Sequence, residues 1–83
     1  PKLSEERRND LSKIASQYAE NSKISIRNNR RDFIDNKKNE KKESLISEDE
    51  LKKFLSDAQN LTDKFTTNID KILEQKRADI LKV

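Results

Sequence analysis

The sequence predicts an all-α fold: two long antiparallel helices joined by a short connection, a helical hairpin. Three observations carry this expectation. The 83 residues contain no Gly and a single Pro, at position 1, so nothing inside the chain interrupts a helix. Apolar residues recur at three- and four-residue spacing through both halves. One sharp helix-start signal, Ser47-Glu48-Asp49-Glu50, stands near the middle.

The first helix is expected over residues 4–42 or so. Ser4 reads as its N-cap, with Glu5 and Glu6 in the first turn to complement the helix dipole. Leu11, Ile14, Ala15, Tyr18, Ala19, Ile26 and Phe33 follow at helical spacing, within an arc of roughly 140°. The stretch from Lys37 to Lys42 holds four lysines, a favourable cation load for a helix C-terminus.

The connection is expected at about residues 43–47. Ser47 as N-cap and Glu50 three residues on form a capping box, while Ile46 and Leu51 fit a hydrophobic staple. So short a connection favours antiparallel neighbours. The second helix, about 48–82, carries the clearer stripe: Leu51, Phe54, Leu55, Ala58, Leu61, Phe65, Ile69, Ile72, Leu73, Ile80 and Val83.

Apolar doublets (Phe54/Leu55, Ile72/Leu73, Ile14/Ala15) widen both faces beyond a two-stranded seam. A face of that width contacts two neighbours, and only one is encoded. Each helix would be about 50–60 Å long, so an extended hairpin, open along one side, is expected. Tyr18, Phe33, Phe54 and Phe65 lie on the stripes and read as core residues rather than a base-stacking platform. No repeat of fixed period stands out.

Composition excludes much. Without Gly there is no phosphate-cradling loop, and without His or Cys the usual nucleophile–base pairs and zinc ligand sets are missing. No enzyme activity, cofactor or metal is expected. Glu48, Asp49 and Glu50 are explained by capping, and Asp32 and Asp35 read as helix-surface charges. No apolar run approaches the roughly 18 residues that would span a bilayer, and no signal-peptide core is present. A membrane-surface helix is disfavoured because Trp is absent and the polar face mixes both signs. The lack of any Met leads to the expectation that this is a piece of something longer.

Net charge is +3, unevenly spread. Residues 1–43 hold 12 basic and 8 acidic side chains, and residues 44–83 hold 7 and 8. In the second half every basic residue except Lys64 has an acid three or four residues away, the pattern of a salt-bridge-laced surface. The middle of the first helix differs. Arg27 and Arg30 have no acid at those positions, and Arg31 has only Asp35. Guanidinium forks donate bidentate hydrogen bonds to phosphate, so an uncompensated group points to RNA backbone. From the residues alone, solvated surface arginines remain the plainer alternative. Ile24 and Ile34 flank the cluster outside the main stripe and are expected to pack on a missing third element, the alternative being that they form part of a contact surface.

Several segments resemble the bacterial ribosome-recycling factor family, in its order and spacing. They are Pro1 to Arg8 (Pro-x-Leu-Ser-Glu-Glu-Arg-Arg), Arg27-Asn28-Asn29-Arg30-Arg31-Asp32, Ile46 to Glu50, and Gln59-Asn60-Leu61-Thr62-Asp63. The similarity runs along the whole chain, and the arginine-rich run is its most specific part. Asn60, where the family usually has Lys, and the bulky Phe33-Ile34 depart from the family pattern.

The resemblance implies two of the three helices of a bundle domain, without the first helix and an inserted β/α/β domain. It also implies a cytoplasmic, non-enzymatic translation factor. Such a factor binds large-subunit ribosomal RNA and, with elongation factor G, splits post-termination ribosomes. By matching position, Arg27, Arg30 and Arg31 would contact RNA, with Arg8 a weaker candidate. The rival reading is a structural coiled-coil or adaptor segment acting through helix–helix association. With an open apolar groove, this segment is expected to self-associate, most simply as a symmetric dimer.

Overall fold

The computed structural model describes residues 3–83, and bears out the all-α hairpin. Pro1 and Lys2, the opening of the family-like motif, lie outside the described residues. Helix α1 runs Glu5–Lys42 and α2 runs Glu48–Lys82. Together they form a ribbon 63 Å long and 15 by 11 Å across.

Both helix starts follow local chemistry. Ser4 Oγ accepts the Arg7 backbone N–H at 3.1 Å. Ser47 Oγ accepts the Glu50 N–H at 3.1 Å, while the Glu50 carboxylate accepts the Ser47 N–H at 3.0 Å, closing the capping box. Those bonds hold the Glu50 carboxyl below its usual range, the backbone N–H of Ser47 contributing most and its hydroxyl next. Ile46 and Leu51 are both half-buried, as a staple requires.

The lysines before Lys42 signalled the end of α1, but nothing in the sequence signalled its cap. The Leu45 N–H bonds the Glu40 carbonyl at 2.9 Å and the Ser44 N–H bonds that of Lys41 at 3.0 Å, the two bonds of a Schellman motif. That motif puts Ser44 at φ 61°, the left-handed region that glycine ordinarily fills.

Contact between the helices has a period after all. Most buried or half-buried positions of α1 run 8, 12, 15, then 19, 23, 26, then 30, 34, 37, and finally 41; those of α2 run 51, 55, 58, then 62, 66, 69, then 73 and 80, with 77 exposed where the pattern would place another. Each set repeats every eleven residues. At about 3.67 residues per turn this seam nearly matches a straight helix, so little supercoiling is needed. An apolar count misses it because the repeating positions mix Ala, Ser, Thr, Ile, Lys and Arg.

Two helices alone do not enclose a core. Among the described residues no apolar side chain is buried, and only Thr62 is, its hydroxyl donating to the Ala58 carbonyl at 2.8 Å. Tyr18 and Phe33 of α1 and Leu61, Phe65 and Ile72 of α2 stand exposed on one open side of the ribbon. Read from the sequence as core, these aromatics are half of a core, lacking the element that would cover them. Phe33 and Phe54 pack edge to face at 6.1 Å, with the Lys37 ammonium 4.4 Å from the Phe54 ring centre.

Candidate nucleic-acid interface

The flank opposite the apolar side is polar, and cross-helix contacts recur along it. Arg77 donates to Ser16 Oγ at 2.7 Å, and Lys23 pairs with Asp70. Seven residues beyond Lys23 is Arg30, and seven before Asp70 is Asp63. Here an amide intervenes: Arg30 Nη1 donates to Gln59 Oε1 at 2.9 Å, and Gln59 Nε2 donates to Asp63 Oδ1 at 2.9 Å. The seven-residue recurrence on both helices fixes an antiparallel register in which this flank is consistently polar.

The three clustered arginines therefore split into two settings. Arg30 sits half-buried at the seam, where it also borders the apolar groove beside Ile26 and Phe33, its guanidinium anchored on a neutral amide with further N–H donors free of that bond. Arg27 and Arg31 point further out, their side chains 51% and 65% exposed. Each meets one carboxylate at long range: Arg27 reaches Glu20 at 3.8 Å, and Arg31 reaches Asp32 at 3.7 Å. Neither partner stands three or four residues away, so the helical-neighbour rule missed Glu20 and chose Asp35 in place of Asp32. Exposed pairs of this length are worth no more than about 0–1 kcal/mol, leaving both guanidinium groups available.

Arg8 lies apart. It is nineteen residues from Arg27, about 28 Å along the helix, and its Nε donates to the Val83 carbonyl at 2.9 Å. On α2, the expected lacing of salt bridges reduces within the helix to Arg77 with Glu74 at 3.7 Å. Among the described residues no acidic cluster could hold a metal ion, and no helix is long and apolar enough to cross a membrane.

A paired helix carrying an arginine run on its polar flank matches a known pattern: the sequence profile described as ribosome recycling factor fits residues 1–81. The chain belongs to that family. Three curated ribosome-recycling factors align over all 83 residues, from Acetivibrio thermocellus at 51% identity, Staphylococcus carnosus at 48% and Finegoldia magna at 46%. In each case the alignment covers 45% of the relative, so the chain spans about half the length of the recycling factors it matches.

Within this recycling-factor segment, Ile24 is placed differently from expectation. At 100° per residue it lies nearly opposite the groove side of α1, on the stripe of Arg27 and Arg31, and it is 46% exposed. Ile24 therefore does not face the open apolar side. Ile34 is half-buried on the seam flank next to Arg30 and likewise lines no part of the groove. Gln59 is the residue that sequence reasoning quoted without a role. Its only signal was its place one turn before Asp63, and its partner on the other helix could not be read without the register.

Proposed function

We propose that this segment binds large-subunit ribosomal RNA through Arg27, Arg30 and Arg31. In the intact protein, acting with elongation factor G, that binding serves to separate post-termination ribosomes into subunits. The supporting observation is the setting of Arg27 and Arg31: exposed on a rigid helix, opposite the apolar side, each held only by a long ion pair. A helix presents such groups without reorganisation, and phosphates replace weak carboxylate partners while releasing counterions. Arg30 adds a third group whose position is set by Gln59. Arg8 is the weaker candidate, since its Nε is already engaged at Val83. No covalent chemistry is required of the chain; its contribution is positional.

The exposed apolar side is, in this reading, the seat of the remaining helix of a three-helix bundle, the relatives being roughly twice as long as the matched segment. That same side favours a second reading, a structural segment acting through helix–helix association with its arginines merely solvated. Arg30→Ala in the full-length protein separates the two. On the proposal it weakens binding to large subunits while circular dichroism stays unchanged; wild-type binding at moderate salt would overturn it.

A further inference from the structure

The lysines of α1 fall into two groups. Those turned toward α2 are neutralised: Lys23 pairs with Asp70, Lys37 with Glu40 at 3.3 Å, and Lys41 with Glu48 at 3.3 Å. Lys13, Lys38 and Lys42 are exposed, and among the described residues none of them makes an ion pair. At 100° per residue, Arg27, Arg31, Lys38 and Lys42 fall on one stripe about 60° wide. The stripe is about 22 Å long at 1.5 Å per residue. Between and beside its members stand Glu20, Asp32 and Asp35; Asp35 is one turn before Lys38 yet forms no ion pair with it. Asn36 and Asn39 join Asp35, Lys38 and Lys42 around a shallow polar depression next to the turn.

We infer that the RNA-binding surface does not end at the arginines. It continues along α1 through Lys38 and Lys42, so that one strand's phosphates are tracked from Arg27 to the hairpin turn. This rests on the proposed RNA-binding role of the arginines and extends it. The division of the lysines is the argument. An acid was available to each seam lysine, and of the three left unpaired Lys38 and Lys42 continue the line of Arg27 and Arg31 toward the turn, whereas Lys13 lies fourteen residues before Arg27. A lipid surface is not the partner this stripe fits, because the depression beside it carries amides where a membrane-binding helix carries apolar anchors. The amides of Asn36 and Asn39 suit ribose hydroxyls and phosphate oxygens.

The test is binding of the full-length protein to isolated large ribosomal subunits across a salt series, with four variants checked for unchanged helicity. Each lost phosphate contact lowers the slope of log affinity against log salt by about 0.7–0.9. K38A/K42A is expected to lower the slope by about 1.5, R27A/R31A by a similar amount, and K64A, on the other helix, by nothing. K38R/K42R keeps the wild-type slope if charge at these positions is what matters. A normal slope for K38A/K42A beside a reduced one for R27A/R31A overturns the extension and leaves the arginine reading standing. A normal slope for R27A/R31A overturns that reading, and the extension with it. A loss in K64A equal to that in K38A/K42A overturns the extension by reducing it to net charge. Loss of binding to intact subunits with unchanged binding to their protein-free RNA overturns it in favour of a protein partner.

Discussion

Arg30 on α1 and Gln59 on α2 are joined by a 2.9 Å hydrogen bond that does more for orientation than for stability. An exposed neutral-acceptor bond contributes on the order of 1 kcal/mol or less. Its consequence is that a flexible guanidinium is held in one orientation on the seam, with Asp63 behind Gln59 holding the amide in turn. An acidic residue in place of Gln59 would neutralise the arginine; an amide positions it and leaves the charge free.

Gln59→Leu is therefore expected to leave thermal stability within about 1 kcal/mol of wild type. Ordering the released Arg30 then falls on the binding step, at about 0.5–1.5 kcal/mol, so affinity for large subunits drops roughly two- to tenfold. Arg30→Ala should cost more than Gln59→Leu, and titration of both variants against isolated subunits ranks them.

Ser44 makes a second prediction. It holds φ 61° at the C-terminal cap of α1, a conformation costing a side-chain-bearing residue about 1–2 kcal/mol that glycine avoids. Ser44→Gly should raise the melting temperature, gaining about 1 kcal/mol against the entropy that glycine adds to the unfolded chain. Equilibrium denaturation of the two proteins measures the difference.

Glu50 makes the third. Its carboxyl is held below the ordinary 4.5 by the Ser47 backbone N–H and then by the Ser47 hydroxyl. A depressed folded-state pKa contributes stability that is present above the unfolded value and lost as pH falls through the folded one. The capping box should thus weaken as the solution is acidified below about pH 4.5. Glu50→Gln keeps an acceptor but removes the titration, so its melting temperature should fall less steeply in that acidic window, as a series of thermal melts would report.

What could be read from the residues, and what could not, divides by range. The caps at Ser4 and Ser47 were legible because each is decided within four residues. The cap at Ser44 was not, because a chain without glycine leaves no mark at a left-handed position. The arginine cluster was legible as a local excess of charge, yet its partners were misassigned: Glu20 lies two turns from Arg27, and Gln59 is on another helix. Ile24 lies outside the apolar stripe as its spacing says, but away from the open side, so of its two expected settings packing on a missing element is the one that fails. Which flank of α1 stays open depends on how α2 docks, and no local pattern carries that. The eleven-residue seam was hidden for the same reason, since its members share a direction and not a polarity.

That docking geometry leads to the last prediction. Phe33, Leu61, Phe65 and Ile72 are each 39–60% exposed on one side of a ribbon that buries no apolar residue among those described. An uncovered apolar side shared by both helices marks a surface that associates. The 83-residue segment by itself is expected to associate through it, two copies laying their open sides together as a four-helix bundle. Sedimentation equilibrium should show mass rising toward a dimer with concentration, and high salt should leave the association intact because the contact is apolar. Phe65→Ser should shift the equilibrium toward monomer, whereas Ile24→Ser, on the opposite flank beside Arg27, should not. A well-folded monomer at high concentration would contradict the prediction, and equal effects of the two substitutions would contradict the assignment of Ile24 to the arginine side.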